Sequence, residues 1–130
     1  MWKSQLQSEI ALSSTESEYM GISYSLRDAI PIMSILEEMK SHGFPITETK
    51  GKVRCKVFED NSGALEMARV HKYRPRTKHL NVKYHHFRDH VAKGIITLHA
   101  IGTKEQQADM LTKPLNDTSL TRHRKHVMGW

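Results

Sequence analysis

The chain has 130 residues, 38% of them hydrophobic and 26% charged, with a net charge of +6 and one cysteine. That length supports one domain with a real core, and no apolar run is long enough to span a bilayer. One cysteine rules out an intramolecular disulfide, and the opening MWKSQ lacks the charged–apolar–small pattern of a secretory leader.

Lys3–Leu12 alternates polar and apolar residues around Leu6 and Ile10, which predicts an edge-type strand. Ser13 with Glu16, and Thr15 with Glu18, both have capping-box spacing, so a helix is predicted to start here. Its apolar residues recur at three and four from Tyr19 to Leu36. Pro31 predicts a kink or a break into two helices, and His42-Gly43-Phe44-Pro45 ends the second. Val53–Phe58 alternates again as a strand that stops at Glu59-Asp60, and Cys55 within it reads as a buried thiol of an intracellular protein. Asn61 or Ser62 then caps a short helix through Ala64, Leu65, Met67 and Ala68.

A basic loop around Pro75 follows, and helical spacing resumes from Leu80 through Tyr84, Phe87 and Val91 until Gly94. Ile95–Ile101 reads as a third strand. Thr103 and Gln106 open a last helix that Pro114 ends, and TRHRKHVMGW reads as a short terminal helix. Residues 1–115 read as a partial domain and 116–130 as a C-terminal tail. Strands alternating with helices predict an α/β sheet covered by helices, with few strands for the helices around it.

Charge is unevenly spread. Residues 69–93 hold eight Lys/Arg against one acid, Asp89, which accounts for the whole positive excess. A basic segment of this kind is either a solvated face or the footprint of a polyanion-binding surface. Its interleaved Tyr73, Tyr84 and Phe87 suit contacts to phosphates and sugars that position a strand without reading its sequence.

Three acids share a positional logic. Asp60 stands at the exit of a strand, while Glu18 and Asp109 stand in the first turns of helices that follow strands. In α/β sheets such positions can converge on one crevice, and hard cations such as Mg²⁺ need clustered carboxylate oxygens. Each acid alone also has a plain structural explanation, since acids near helix starts cap and favour the macrodipole.

The strings ALSSTESEY, FEDNSGA, RTKHLNVKYHHFRD and QQADMLTKPL, between WKS and the closing MGW, resemble the ribonuclease H region of copia-type LTR retrotransposon polyproteins. The resemblance covers nearly the whole chain in order and spacing. It implies a ribonuclease H-like fold, here truncated to about three of the usual five strands with flanking helices. It also implies hydrolysis of the RNA strand of RNA–DNA hybrids, with two Mg²⁺ or Mn²⁺ ions in the complete domain.

Carried over by motif, the catalytic and metal-binding acids are Glu18, with Glu16 as near rival, then Asp60 and Asp109. Glu59 is expected to face solvent. The nucleic-acid-binding residues are Arg74, Arg76, Lys78, His79, Lys83 and Arg88. The family's first acid lies upstream of the WKS element, where this chain begins, so the isolated polypeptide is expected to be inactive or nearly so. The implied partners are the hybrid and an upstream reverse transcriptase region, with no membrane, in a cytoplasmic particle or the nucleus.

Two other readings stand beside this one. His79, His85, His86 and His90 invite a zinc site, but no second ligand pattern accompanies them, and phosphate contact or packing on Phe87 and Tyr84 explains them better. A decayed or domesticated copy that only binds nucleic acid is the alternative function. A module for protein contacts would rest on an open sheet edge alone.

Overall fold

A computed structural model describes residues 7, 9–46, 51–70 and 82–130, the side chain of Val82 excepted. The elements in order are α1 (Ser14–Ser41), β1 (Cys55–Glu59), α2 (Ser62–Arg69), a 3₁₀ turn (Val82–His85), α3 (Arg88–Ala92) and β2 (Ile96–Ala100). Two further 3₁₀ turns (Thr103–Glu105 and Gln107–Leu111) lead to α4 (Asp117–Met128). The arrangement is mixed α/β, a small parallel sheet flanked by helices, and is compatible with a ribonuclease H-like fold.

The two strands pair in parallel, Cys55 opposite Ile96 through Glu59 opposite Ala100. Side chains alternate across the pleat, so Cys55, Val57 and Glu59 share a face with Ile96 and Leu98. That face carries the helices. The opposite face presents Lys56, Phe58 and His99 to solvent, with the Phe58 and His99 rings 5.4 Å apart. The core is built from Tyr19, Met20, Ile22 and Leu26 of α1, Ala64, Leu65 and Ala68 of α2, then Tyr84, Phe87, Ile96 and Leu98. Burial disfavours a thiol's ionised form, and half-buried Cys55 accordingly has its pKa raised.

Several expectations are corrected. Within the expected first strand, residues 3–6 and 8 lie outside the described residues, and residues 9–12 are not in a strand. Among the described residues the sheet has two strands rather than three. α1 runs unbroken through Pro31. Both Pro31 and Arg27, whose carbonyl loses its helical donor, are exposed, so water can satisfy that carbonyl. The helix expected from Leu80 is divided into a 3₁₀ turn, a bend and α3, while Tyr84 and Phe87 turn inward onto α1. Around Asp109 the chain forms 3₁₀ turns in place of a regular helix.

Of the two capping pairs, Ser13 is the N-cap and accepts from the Glu16 amide at 3.2 Å. Glu16 reaches back to accept from the Leu12 amide at 2.8 Å. Asn61 caps α2, accepting from the Ala64 amide at 3.1 Å. The closing segment is helical as expected. Asn116 caps α4 by accepting from the Ser119 amide at 2.8 Å, and Gly129 ends it in the left-handed region at φ 78°. α4 is tied to the preceding turns by Arg122, which pairs with Glu105 at 3.1 Å and donates to the Lys104 carbonyl.

Candidate active site

The site forms where the exit of β1 meets the start of α1 and the turns after β2. Period-two alternation carries Glu59 to the same buried face as Cys55 and Val57, and the chain then leaves the sheet at Asp60. Gly63 lets the start of α2 close on the start of α1: a Cβ there would stand 2.9 Å from Thr15 Cγ2. Thr15 Oγ1 lies 3.4 Å from Asn61 Oδ1 across the same contact. This approach brings the start of α1, with Glu18 one turn in, toward the turn after β1.

Asp109 is buried on the first turn of its 3₁₀ segment and pairs with the Lys113 ammonium at 2.9 Å. Lys113 is held charged, its pKa raised first by the hydrogen bond to Asp109 and then by the charges of Asp109, Asp60 and Glu18. One exposed ammonium thus feels all three acids predicted from the sequence. Glu16 is occupied with the helix cap, whereas Glu18 is exposed and contributes to the field at both Lys113 and Glu59.

Glu59 corrects an expectation. It is 6% exposed, not solvent-facing. Burial pushes its pKa up, the Asn61 amide donating to Oε1 at 3.0 Å pulls it down, and the charges of Glu18 and Asp60 add to the rise. A further carboxylate therefore stands in the field of Glu18 and Asp60, under pressure to take up a proton or meet a cation.

The carboxylates offer the hard oxygen donors that Mg²⁺ or Mn²⁺ prefers. Among the described residues, however, no group of three His, Cys, Asp or Glu side chains is close enough to hold a metal ion. Donor type and shared field fit a divalent cation; spacing does not. His85 packs on Tyr19 with ring centroids 5.5 Å apart, and His86 meets Phe87 edge-on at 5.8 Å.

Of the expected nucleic-acid contacts, Arg74, Arg76, Lys78 and His79 lie outside the described residues. Lys83 is at the surface, paired with Glu9 at 2.5 Å. Arg88 is the second correction: it is 8% exposed, donates to the Met67 carbonyl at 2.8 Å and lies over the Tyr19 ring. It ties α3 to α2 and α1, and is not turned outward to meet a strand.

The chain is 33% identical over 112 residues, 86% of its length, to the retrovirus-related Pol polyprotein from transposon TNT 1-94 of Nicotiana tabacum. It is thus similar to part of a retrovirus-related Pol polyprotein of a transposon. The polyprotein from transposon RE1 of Arabidopsis thaliana is 32% identical over 118 residues, 91% of the chain, and that from RE2 is 30% identical over 115 residues, 88% of the chain. The chain spans only 8%, 8% and 7% of the length of these relatives. No protein-family profile and no solved structure matches it. Among the described residues, no helix is long and apolar enough to cross a membrane.

Sequence reasoning missed two site residues. Lys113 stands four residues after Asp109, a spacing that favours ion pairs and could have revealed it. Glu59 is in phase with Cys55 and Val57, so extending the strand by one residue would have placed it inside.

Proposed function

We propose that this chain is the ribonuclease H region of a copia-type retrotransposon Pol polyprotein, hydrolysing the RNA strand of RNA–DNA hybrids with Mg²⁺ or Mn²⁺. Glu18, Asp60 and Asp109 are the carboxylates the resemblance assigns to the cation; among the described residues they do not stand close enough together to hold it as they are. What carries the reading is the Asp109–Lys113 pair at the turns after β2, whose ammonium also feels the charges of Asp60 and Glu18. Similarity to the Pol polyproteins supports it independently.

A bound divalent cation would polarise the scissile phosphate and supply an activated water. The chain's own residues do the rest. Asp60, at the sheet exit, is positioned by the parallel pairing of β1 and β2, and Glu18 by the Thr15–Gly63 contact. Lys113 pairs with Asp109 and places a positive charge beside the acids. Surface cations such as Lys83, with the sequence segment 71–80, would hold the hybrid's backbone, and binding should weaken with salt.

The test is cleavage of a labelled RNA–DNA hybrid with Mg²⁺, using the chain alone and the chain joined behind the segment that precedes the matching region in the TNT 1-94 polyprotein. The reading predicts RNA-strand cleavage by the joined protein and a loss of about 100-fold or more in Asp60→Asn, as for other groups that act only in the transition state. Cleavage indifferent to Asp60→Asn overturns it. Salt-sensitive binding without any cleavage favours a nucleic-acid-binding copy instead.

A further inference from the structure

A cavity of about 520 Å³ opens between the turns after β2 and the first two turns of α4. His123 lines it from α4. Its side chain belongs to a residue only 4% exposed, and it makes no hydrogen bond to any described residue. The open space beside this imidazole is where a partner for it would sit.

The other walls supply donors of one kind. The α4 N-terminus faces the cavity through Thr118 and Ser119. Asn116 engages the Ser119 amide, which leaves the earlier first-turn amides unused within the helix. Lys104 and Arg122 also line the cavity. The Lys104 ammonium has no ion-pair partner among the described residues, and Arg122 keeps donors beyond those spent on Glu105 and the Lys104 carbonyl. One carboxylate lies on the wall, Asp109, and Lys113 already neutralises it. Asp117 in the first turn of α4 does not line the cavity.

Cationic side chains, hydroxyls, a helix start and a buried imidazole suit a tetrahedral anion that accepts from several directions at once. We infer that this cavity is a phosphate-binding site, taking one phosphate group between His123, Lys104, Arg122 and the start of α4. Asp109 is shared between the cavity and the acid cluster, so an occupant would lie next to the reacting centre. Assigning that phosphate to the backbone of a bound nucleic-acid strand rests on the proposed function. A small phosphate compound offers the same chemistry.

The experiment follows histidine ring resonances of the whole chain in metal-free buffer at constant pH and ionic strength, titrated with inorganic phosphate. The His123 signals, assigned by their loss in His123→Gln, should shift and saturate. Lys104→Ala and Arg122→Ala should each weaken the apparent affinity by about fivefold or more, the scale of one charge-assisted contact. Lys104 is exposed, so its variant keeps the test decisive if His123→Gln fails to fold. An unsaturable shift, or one unchanged in Lys104→Ala and Arg122→Ala, overturns the site.

Competition then separates the sources. Displacement of phosphate by an RNA–DNA hybrid assigns the site to a strand. Displacement by a mononucleotide but not by the hybrid assigns it to a small phosphate compound. Saturation at His123 in a protein that never cleaves hybrid leaves the site standing and overturns the function proposed above.

Discussion

Thr15 and Gly63 touch where two helices begin: a Cβ on Gly63 would lie 2.9 Å from Thr15 Cγ2 and 3.0 Å from its Oγ1. Thr15 is β-branched and stiff at χ1, so it cannot swing aside cheaply. The contact fixes how closely the start of α1, with Glu18 one turn in, approaches the turn after Asp60.

Gly63→Ala should therefore destabilise the fold by about 1–3 kcal/mol, the usual cost of overpacking a close contact. Urea unfolding measures it. In a double-mutant cycle, Thr15→Ala should recover most of the loss, because it removes both crowding atoms. Additive effects would place the strain elsewhere.

Asn61→Ala should cost about 0.5–2 kcal/mol, since it removes the side chain that caps α2. The same asparagine faces Thr15 across the helix starts. Hydrogen exchange should accordingly quicken in the first turns of both α1 and α2, and not in α4.

Glu59 is raised above the ordinary carboxylate range, chiefly by burial. In the interval between its unfolded pKa, near the ordinary 4.5, and its higher folded value, the native state holds more proton than the unfolded chain. Stability contributed by this group therefore falls as pH rises through that window. Glu59→Gln keeps an acceptor for the Asn61 amide and removes the charge. It should raise Tm at pH 7 and change it little near pH 4.

His85 behaves in the opposite sense. Burial, helped by the Arg88 charge, lowers its pKa from 6.5 to about 4, and its Nδ1 sits 2.5 Å from the Tyr19 hydroxyl. Between those values the unfolded state takes up the proton first, so the stability this residue contributes is present above pH 6.5 and is lost as pH falls toward 4. His85→Gln should flatten the acid limb of the stability curve by up to one proton's slope. Denaturant midpoints at several pH values check it.

The elements most legible in the sequence were those whose pattern is local. Alternation around Val57 and around Leu98 announced the two strands, capping residues marked the starts of α1 and α2, and Gly129 and Asn116 sit at the ends of α4. What escaped depends on contacts far apart in sequence. The spacing of Tyr84, Phe87 and Val91 is helical, yet Tyr84 and Phe87 pack against α1 from a 3₁₀ turn and a bend. Arg88 sits within a basic run whose charge suggested an outward surface, and only the folded chain turns it toward Tyr19 and Met67. The three acids were visible as strand exits and helix starts, but their common neighbour, Lys113, emerged from the folded chain.

The central claim is that Glu18, Asp60 and Asp109 act together on one cation, and Mn²⁺ titration followed by electron paramagnetic resonance tests it most directly. The account predicts one saturable site of weak affinity, tightened in Lys113→Met and weakened about tenfold or more in Asp60→Asn and in Asp109→Asn, the scale seen when a metal site loses a supporting group. Equal Mn²⁺ binding by the wild-type chain and the triple variant Glu18→Gln, Asp60→Asn, Asp109→Asn would contradict it.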